Sequence, residues 1–119
     1  MDVEATLNAL RDALAVSPDN VPLREHLAST LLTAGRAEEA EAEFREALAR
    51  GAGSSAQLGL ARAFFALGKL REASVLAESL ADELPHDAGA QLLLARVLLN
   101  EGRPVEARER YTRAVQLDP

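Results

Sequence analysis

Apolar residues recur along this chain at intervals of three and four, and no stretch alternates as a half-buried strand would. Val3, Leu7, Leu10 and Leu14 open the pattern, and Leu27 with Leu31, Leu60 with Phe64 and Leu94 with Leu98 carry it on. Each run is cut by Gly or Pro, residues that end helices for opposite reasons: Gly takes the left-handed conformation of a C-terminal cap, and Pro cannot extend a helix. This punctuation predicts seven helices, at about 3–16, 20–34, 37–50, 54–67, 70–84, 87–101 and 104–117.

The pattern also repeats on a longer scale. Leu27-Ala28-x-x-Leu31-x-x-x-Gly35-x-x-x-x-Ala40 is matched by Leu60-Ala61-x-x-Phe64-x-x-x-Gly68-x-x-x-x-Ala73 and by Leu94-Ala95-x-x-Leu98-x-x-x-Gly102-x-x-x-x-Ala107. The three glycines lie 33 and 34 residues apart, so each unit is a helix, a tight turn and a second helix. Small side chains at Ala28, Ala61 and Ala95, and again at Ala40, Ala73 and Ala107, allow the two helices of a unit to approach closely. Phe44 and Tyr111 add bulk one turn later, and Pro18, Pro85 and Pro119 mark the ends of second helices.

This arrangement resembles the tetratricopeptide repeat family over nearly the whole chain. The resemblance implies an all-α fold, a right-handed superhelical solenoid of antiparallel helix pairs with a concave groove. On it the chain divides as one domain, 1–119, into a half repeat at 1–19 and repeats at 20–53, 54–87 and 88–119. Three departures stand out. Arg24, Gln57 and Gln91 replace the large aromatic residue often found three positions before the Leu. Gly51-Ala52-Gly53 stands where the first repeat should end in Pro, which makes 50–55 the expected loose joint. Ala77 replaces a bulky residue in the second repeat.

Composition narrows the partners. Ala, Leu, Glu and Arg dominate, aromatic residues are only 3%, and local propensity therefore favours helix throughout. Thirteen Lys and Arg against 19 Asp and Glu give a net charge of -6, which argues against a nonspecific grip on nucleic acid or anionic lipid. There is no cysteine, so disulfides, thiolate metal sites and cysteine nucleophiles are excluded. The first residues are acidic where a signal peptide is basic, and no apolar run approaches a membrane span, so a cytoplasmic protein without membrane contact is expected.

Candidate chemistry is sparse. His26 and His86 fall in different repeats and lack a metal-ligating neighbour one helical turn away. Gly51-Ala52-Gly53-Ser54-Ser55 lacks the Lys of a nucleotide loop and follows no strand. Glu38, Glu39, Glu41, Glu43 and Glu46 share one helix but spread around it among Arg36, Arg45 and Arg50, as a solvated outer face does. The expectation is neither an enzyme nor a cofactor carrier.

In the resembled family, ligands lie along the first helices of the repeats. Helical spacing then selects Pro22, Glu25, His26, Ser29 and Thr33 in repeat one, Leu58, Arg62 and Phe65 in repeat two, and Leu92, Arg96, Leu99 and Asn100 in repeat three. Arg62 and Arg96 are one period apart and could grip carboxylates through paired hydrogen bonds, above an apolar floor of Leu58, Phe65, Leu92 and Leu99. The competing reading has Glu25 neutralising Arg62 and the leucines buried in the core. An exposed pair contributes only about 0–1 kcal/mol, so stability does not require it. The chaperone-tail clamp of some family members is not matched, because Glu25 and Ser29 stand where Lys and Asn would, and Gly89 and Leu93 where Lys and Arg would.

Two functions follow from these residues. The first is a protein-interaction scaffold that takes a partner protein or peptide bearing acidic and apolar residues. The alternative is self-assembly into a homo-oligomer. The chain ends at Pro119, the last position of a repeat, and stacked repeats need a polar outer face on the terminal unit. Either it continues within a larger protein, or a second copy covers Tyr111, Val115 and Leu117.

Overall fold

The structure is a computed structural model that describes residues 2–119. Among them it holds seven α-helices and no strand: α1 (Val3–Val16), α2 (Val21–Thr33), α3 (Ala37–Ala49), α4 (Ser54–Ala66), α5 (Leu70–Glu83), α6 (Ala88–Asn100) and α7 (Pro104–Leu117). The boundaries fall within about one residue of those read from the sequence, because side-chain caps or glycine turns set most of them.

Helix starts come in two kinds. The carboxylates and amide ahead of α1, α2 and α6 accept from the first-turn backbone: Asp2 from the Glu4 N–H at 2.9 Å, Asn20 from the Leu23 N–H at 3.1 Å, and Asp87 from the Ala90 N–H at 2.9 Å. The second helices α3, α5 and α7 have no side-chain cap and start straight out of the turn that ends the preceding helix. In that turn Gly35, Gly68 and Gly102 take φ of +82°, +75° and +78°. The next N–H, of Arg36, Lys69 and Arg103, then reaches back to the carbonyl of Leu31, Phe64 and Leu98 at 2.9, 2.9 and 3.0 Å. A side chain at these glycines would be strained against its own carbonyl, so the periodic Gly is a backbone requirement. The turn at 50–55, expected to be loose, closes the same way: Gly51 has φ +96°, and the Ala52 N–H donates to the Ala47 carbonyl at 3.0 Å.

The chain forms two compact units, Met1–Ala63 and Phe64–Pro119, whose boundary falls inside α4. In the first unit α2 packs on α3 and α1 on α2 around Leu7, Leu27, Leu31 and Phe44. In the second, α6 packs against both α5 and α7 around Leu80, Leu93, Leu94, Val97 and Leu98. The small positions behave as the repeat requires: Ala28, Ala61, Ala95, Ala40, Ala73 and Ala107 are all 0% exposed. Gly59 on α4 adds a contact of the same kind. A Cβ there would lie against the Phe44 ring, 2.9 Å from its Cδ1, so the glycine is a seat for the aromatic face.

Two of the three positions that lack the usual aromatic residue, Arg24 and Gln91, are filled by polar latches. Arg24 donates to Glu43 on α3 at 2.7 Å and to the Pro18 carbonyl at 3.1 Å. At the equivalent places two repeats on, Gln91 accepts from Arg110 on α7 at 2.9 Å and donates to the Pro85 carbonyl at 3.4 Å. Each latch ties the first helix of a unit to its second helix and to the preceding Pro turn. Gln91 is 1% exposed, so its hydrogen bonds offset an amide that would otherwise be buried unpaired.

Candidate interaction surfaces

The groove candidates divide by burial. On α2, Pro22, His26, Ser29 and Thr33 are exposed and Glu25 is half-buried. Val3, His26, Ser29, Thr30, Thr33 and Ala34 line a shallow depression of about 340 Å³ in the first unit. On α4, Arg62 is exposed and Phe65 half-buried, whereas Leu58 is 9% exposed. Leu58 therefore belongs to the core and offers almost nothing to a ligand, contrary to the floor expected of it. On α6, Arg96, Leu99 and Asn100 are exposed and Leu92 is half-buried.

The expected alternative partner of Arg62 is engaged elsewhere. The Glu25 carboxylate accepts from Ser55 Oγ at 3.1 Å. Eight of the twelve arginines are held in ion pairs or side-chain hydrogen bonds: Arg11 with Glu39, Arg24 with Glu43, Arg36 with Glu4, Arg45 with Glu41, Arg50 with Asp19 and Glu46, Arg103 with Glu101 and Glu106, Arg110 with Gln91, and Arg113 with His86. Among the described residues Arg62, Arg71, Arg96 and Arg108 have no such partner. Two of these four are the groove arginines. They are also the only charged residues on α4 and α6, so no carboxylate on their own helices competes for them.

The outer face of α7 is the second candidate. Leu99, Pro104, Ala107, Arg108, Tyr111, Thr112, Val115 and Gln116 line a shallow groove of about 410 Å³. Tyr111 is half-buried there and Val115 is 63% exposed; Leu117 is half-buried but outside the groove lining.

The remaining titratable groups are structural. Hydrogen bonding to Glu46 and the nearby Asp19 raise the Arg50 pKa, and hydrogen bonding to Glu106 raises that of Arg103. Arg103 in turn holds the Glu106 carboxyl below the usual carboxylate range. His86 Nδ1 lies 2.9 Å from an Arg113 guanidinium nitrogen, a contact that joins α7 to the turn before α6. Among the described residues no three His, Asp or Glu side chains gather as a metal site, and no helix is long and apolar enough to cross a membrane. The polar groups present can hold a partner by charge and hydrogen bonding, and among the described residues no nucleophile, base and orienting group converge on a reacting centre.

Comparison with known proteins agrees with this architecture. A family model described as tetratricopeptide repeat matches residues 2–63 and 64–119. No curated protein matches the sequence. Among solved structures, one described as the crystal structure of MamA superposes with a TM-score of 0.81 at 20% identity, over 99% of this chain and 70% of that one. The MamA structure from MSR-1 gives 0.76 at 20% identity, over 98% and 67%. That from AMB-1 gives 0.74 at 22% identity, over 97% and 68%. At these identities the likeness is one of fold.

Proposed function

The chain belongs to the tetratricopeptide repeat family, and we propose that it is a cytoplasmic protein-interaction scaffold whose first helices hold a partner segment rich in acidic and apolar residues. The observation that carries this reading is the isolation of Arg62 and Arg96. Each is exposed, each is the sole charge on its helix, and neither is paired among the described residues. A protein with net charge -6 has carboxylates to spare, and eight of its arginines are engaged. Two that are left open at equivalent repeat positions are available for a ligand's carboxylates, which a guanidinium binds through two parallel hydrogen bonds. Exposed Leu99 and half-buried Phe65 and Leu92 lie on the same helices and add apolar surface. Glu25 and Ser29 on α2 and Asn100 on α6 add hydrogen-bonding groups to these helices.

The test compares partners captured from lysate by the intact chain and by the Arg62→Glu/Arg96→Glu protein, followed by titration of the captured segment at increasing salt. A partner held by the parent and lost from the variant, with affinity falling but not vanishing as salt rises, is the expected result. Screening at about 0.15 M acts over only about 8 Å and leaves apolar contacts untouched. Equal capture by both proteins, with the same salt response, would reject the arginines as the binding groups.

A further inference from the structure

The repeat period aligns the first helices position by position and shows where their chemistry changes. Arg62 and Arg96 fall where repeat one has Ser29, and Leu58 and Leu92 fall where repeat one has Glu25. Repeat one therefore carries a carboxylate in place of the apolar side chain and a hydroxyl in place of the cation. Both kinds of position occur within Met1–Ala63, Glu25 on α2 and Arg62 on α4, so the sign of the charge reverses inside one compact unit. Ser55 Oγ donates to Glu25 Oε2 at 3.1 Å, which sets the first turn of α4 beside this carboxylate. Arg62 stands two helical turns further along the same face of α4, about 10 Å at 1.5 Å per residue, and no ion pair joins it to Glu25.

Glu25 is short of a cation. Arg24, its neighbour in the chain, is turned to Glu43 and to the Pro18 carbonyl, and no other Lys or Arg among the described residues pairs with Glu25. The side chain is half-buried, so it has given up part of its hydration and regained one hydroxyl donor. Ser55 engages Oε2 and leaves Oε1 open. The N-terminal end of α2 favours a negative charge, which explains how the carboxylate is tolerated there. A ligand cation on Oε1 would replace the solvation that burial removed, just as a ligand carboxylate would on Arg62.

We propose that the partner segment is bipolar: besides the acid that meets Arg62 it carries a Lys or Arg that meets Glu25, and the two charges lie about 10 Å apart, a span of about three residues in an extended chain or about seven in a helix. The inference rests on the partner-binding reading given above and adds the cation to it. It also fixes the direction of binding, because a segment laid down the other way would set its acid on Glu25 and its cation on Arg62. Glu25 is then a specificity-determining residue, and its bond to Ser55 holds the carboxylate in place on the binding face.

The experiment is fluorescence anisotropy of labelled synthetic peptides on the full chain. The probes carry Lys and Glu at either of these spacings in a Leu- and Ser-containing background, and matched controls have Gln in place of Lys. On the parent, the Lys–Glu peptide of one spacing should bind about threefold tighter than its control, with the gap closing as salt rises. Glu25→Gln removes the charge and keeps an oxygen for Ser55, so it should bind both peptides as the parent binds the control; Glu25→Lys should prefer the control. Circular dichroism and the urea midpoint confirm that both variants are folded. A Glu25 that serves only to tie α2 to α4 would leave the preference of the parent unchanged in Glu25→Gln, and that result overturns the proposal. So does a parent that binds the two peptides equally; if the control is still lost from the Arg62→Glu/Arg96→Glu protein, the arginines remain the binding groups and only the cation is struck out. A control that binds this double variant as well as the parent, or the absence of binding by any probe, overturns the arginine reading and the bipolar segment together.

Discussion

Replacing Gly59 by alanine isolates the packing rule that joins successive repeats. In an exposed helix interior the change stabilises by about 1 kcal/mol, because Ala loses less backbone freedom than Gly. Here the added methyl would meet the Phe44 ring, whose Cδ1 lies 2.9 Å from the new carbon and whose other edge is nearer still. Phe44 is 2% exposed and cannot swing into solvent, so the ring must tilt into its neighbours or α4 must lift away. Overpacking of this size costs about 1–3 kcal/mol, leaving a net loss of up to about 2 kcal/mol. With an m-value of about 1–3 kcal/mol/M, urea unfolding would then move to lower concentration by several tenths of a molar or more. The sharper reading is a double-mutant cycle. In a Phe44→Leu background the ring is gone, and the same Gly59→Ala step should become stabilising, giving a coupling energy of about 1–3 kcal/mol. If Gly59→Ala raises the midpoint of the parent as it would on a free helix, the ring is not seated on this glycine and the argument fails.

Two further outcomes rest on polar contacts. Glu43→Ala should cost about 1–3 kcal/mol, because it strands the Arg24 guanidinium, whose side chain is only 11% exposed; importing the third repeat's solution as Arg24→Gln/Glu43→Arg should recover most of it, and a loss within about 0.5 kcal/mol in the urea midpoint would place the latch among ordinary surface pairs. Glu106 sits below the usual carboxylate range through its hydrogen bond with Arg103, so its contribution is present above an unfolded value of about 4.3 and fades as pH falls through the lower folded value. Thermal unfolding of Arg103→Ala should show a shallower loss of stability over that acidic window, and an unchanged slope would count against the pair.

The helices were legible because their ends are written in residues with a single backbone use. Gly35, Gly68 and Gly102 recur because the turn needs positive φ, and Ala28, Ala61 and Ala95 recur because nothing larger fits between paired helices, so identity at a fixed period is itself the structural signal. The latches escaped because the period conserves their place and not their chemistry: an ion pair in one repeat becomes an amide and an arginine in another. The available clue was a polar residue six positions after Pro18 and after Pro85, where the family usually has an aromatic one. Leu58 was misplaced for a different reason. Leu58, Leu60, Ala61, Ala63 and Phe64 are all buried, so α4 is covered around most of its circumference and helical spacing no longer separates a groove face from a core face. Gly59 offered no pattern at all, since its role depends on which ring lies opposite.

The distribution of charge connects these observations. The second helices and α1 carry acids and arginines together, and there most of the arginines are engaged, as Arg45 is by Glu41 on its own helix and Arg11 by Glu39 on the next second helix, Arg71 and Arg108 being the exceptions. An exposed pair of this kind adds little to stability, but it removes an arginine from the pool available to other molecules. On α4 and α6 the acids are missing, and the one arginine on each helix stays open. Burial does not demand that exclusion, since α4 and α6 each keep exposed polar positions, Ser55 and Asn100 among them, where a carboxylate would be solvated without cost. Under the proposed function, leaving out the acid keeps the cation unneutralised until a ligand supplies the anion. The repeat fixes where such positions fall, and the missing acids leave the charge at two of them unneutralised among the described residues.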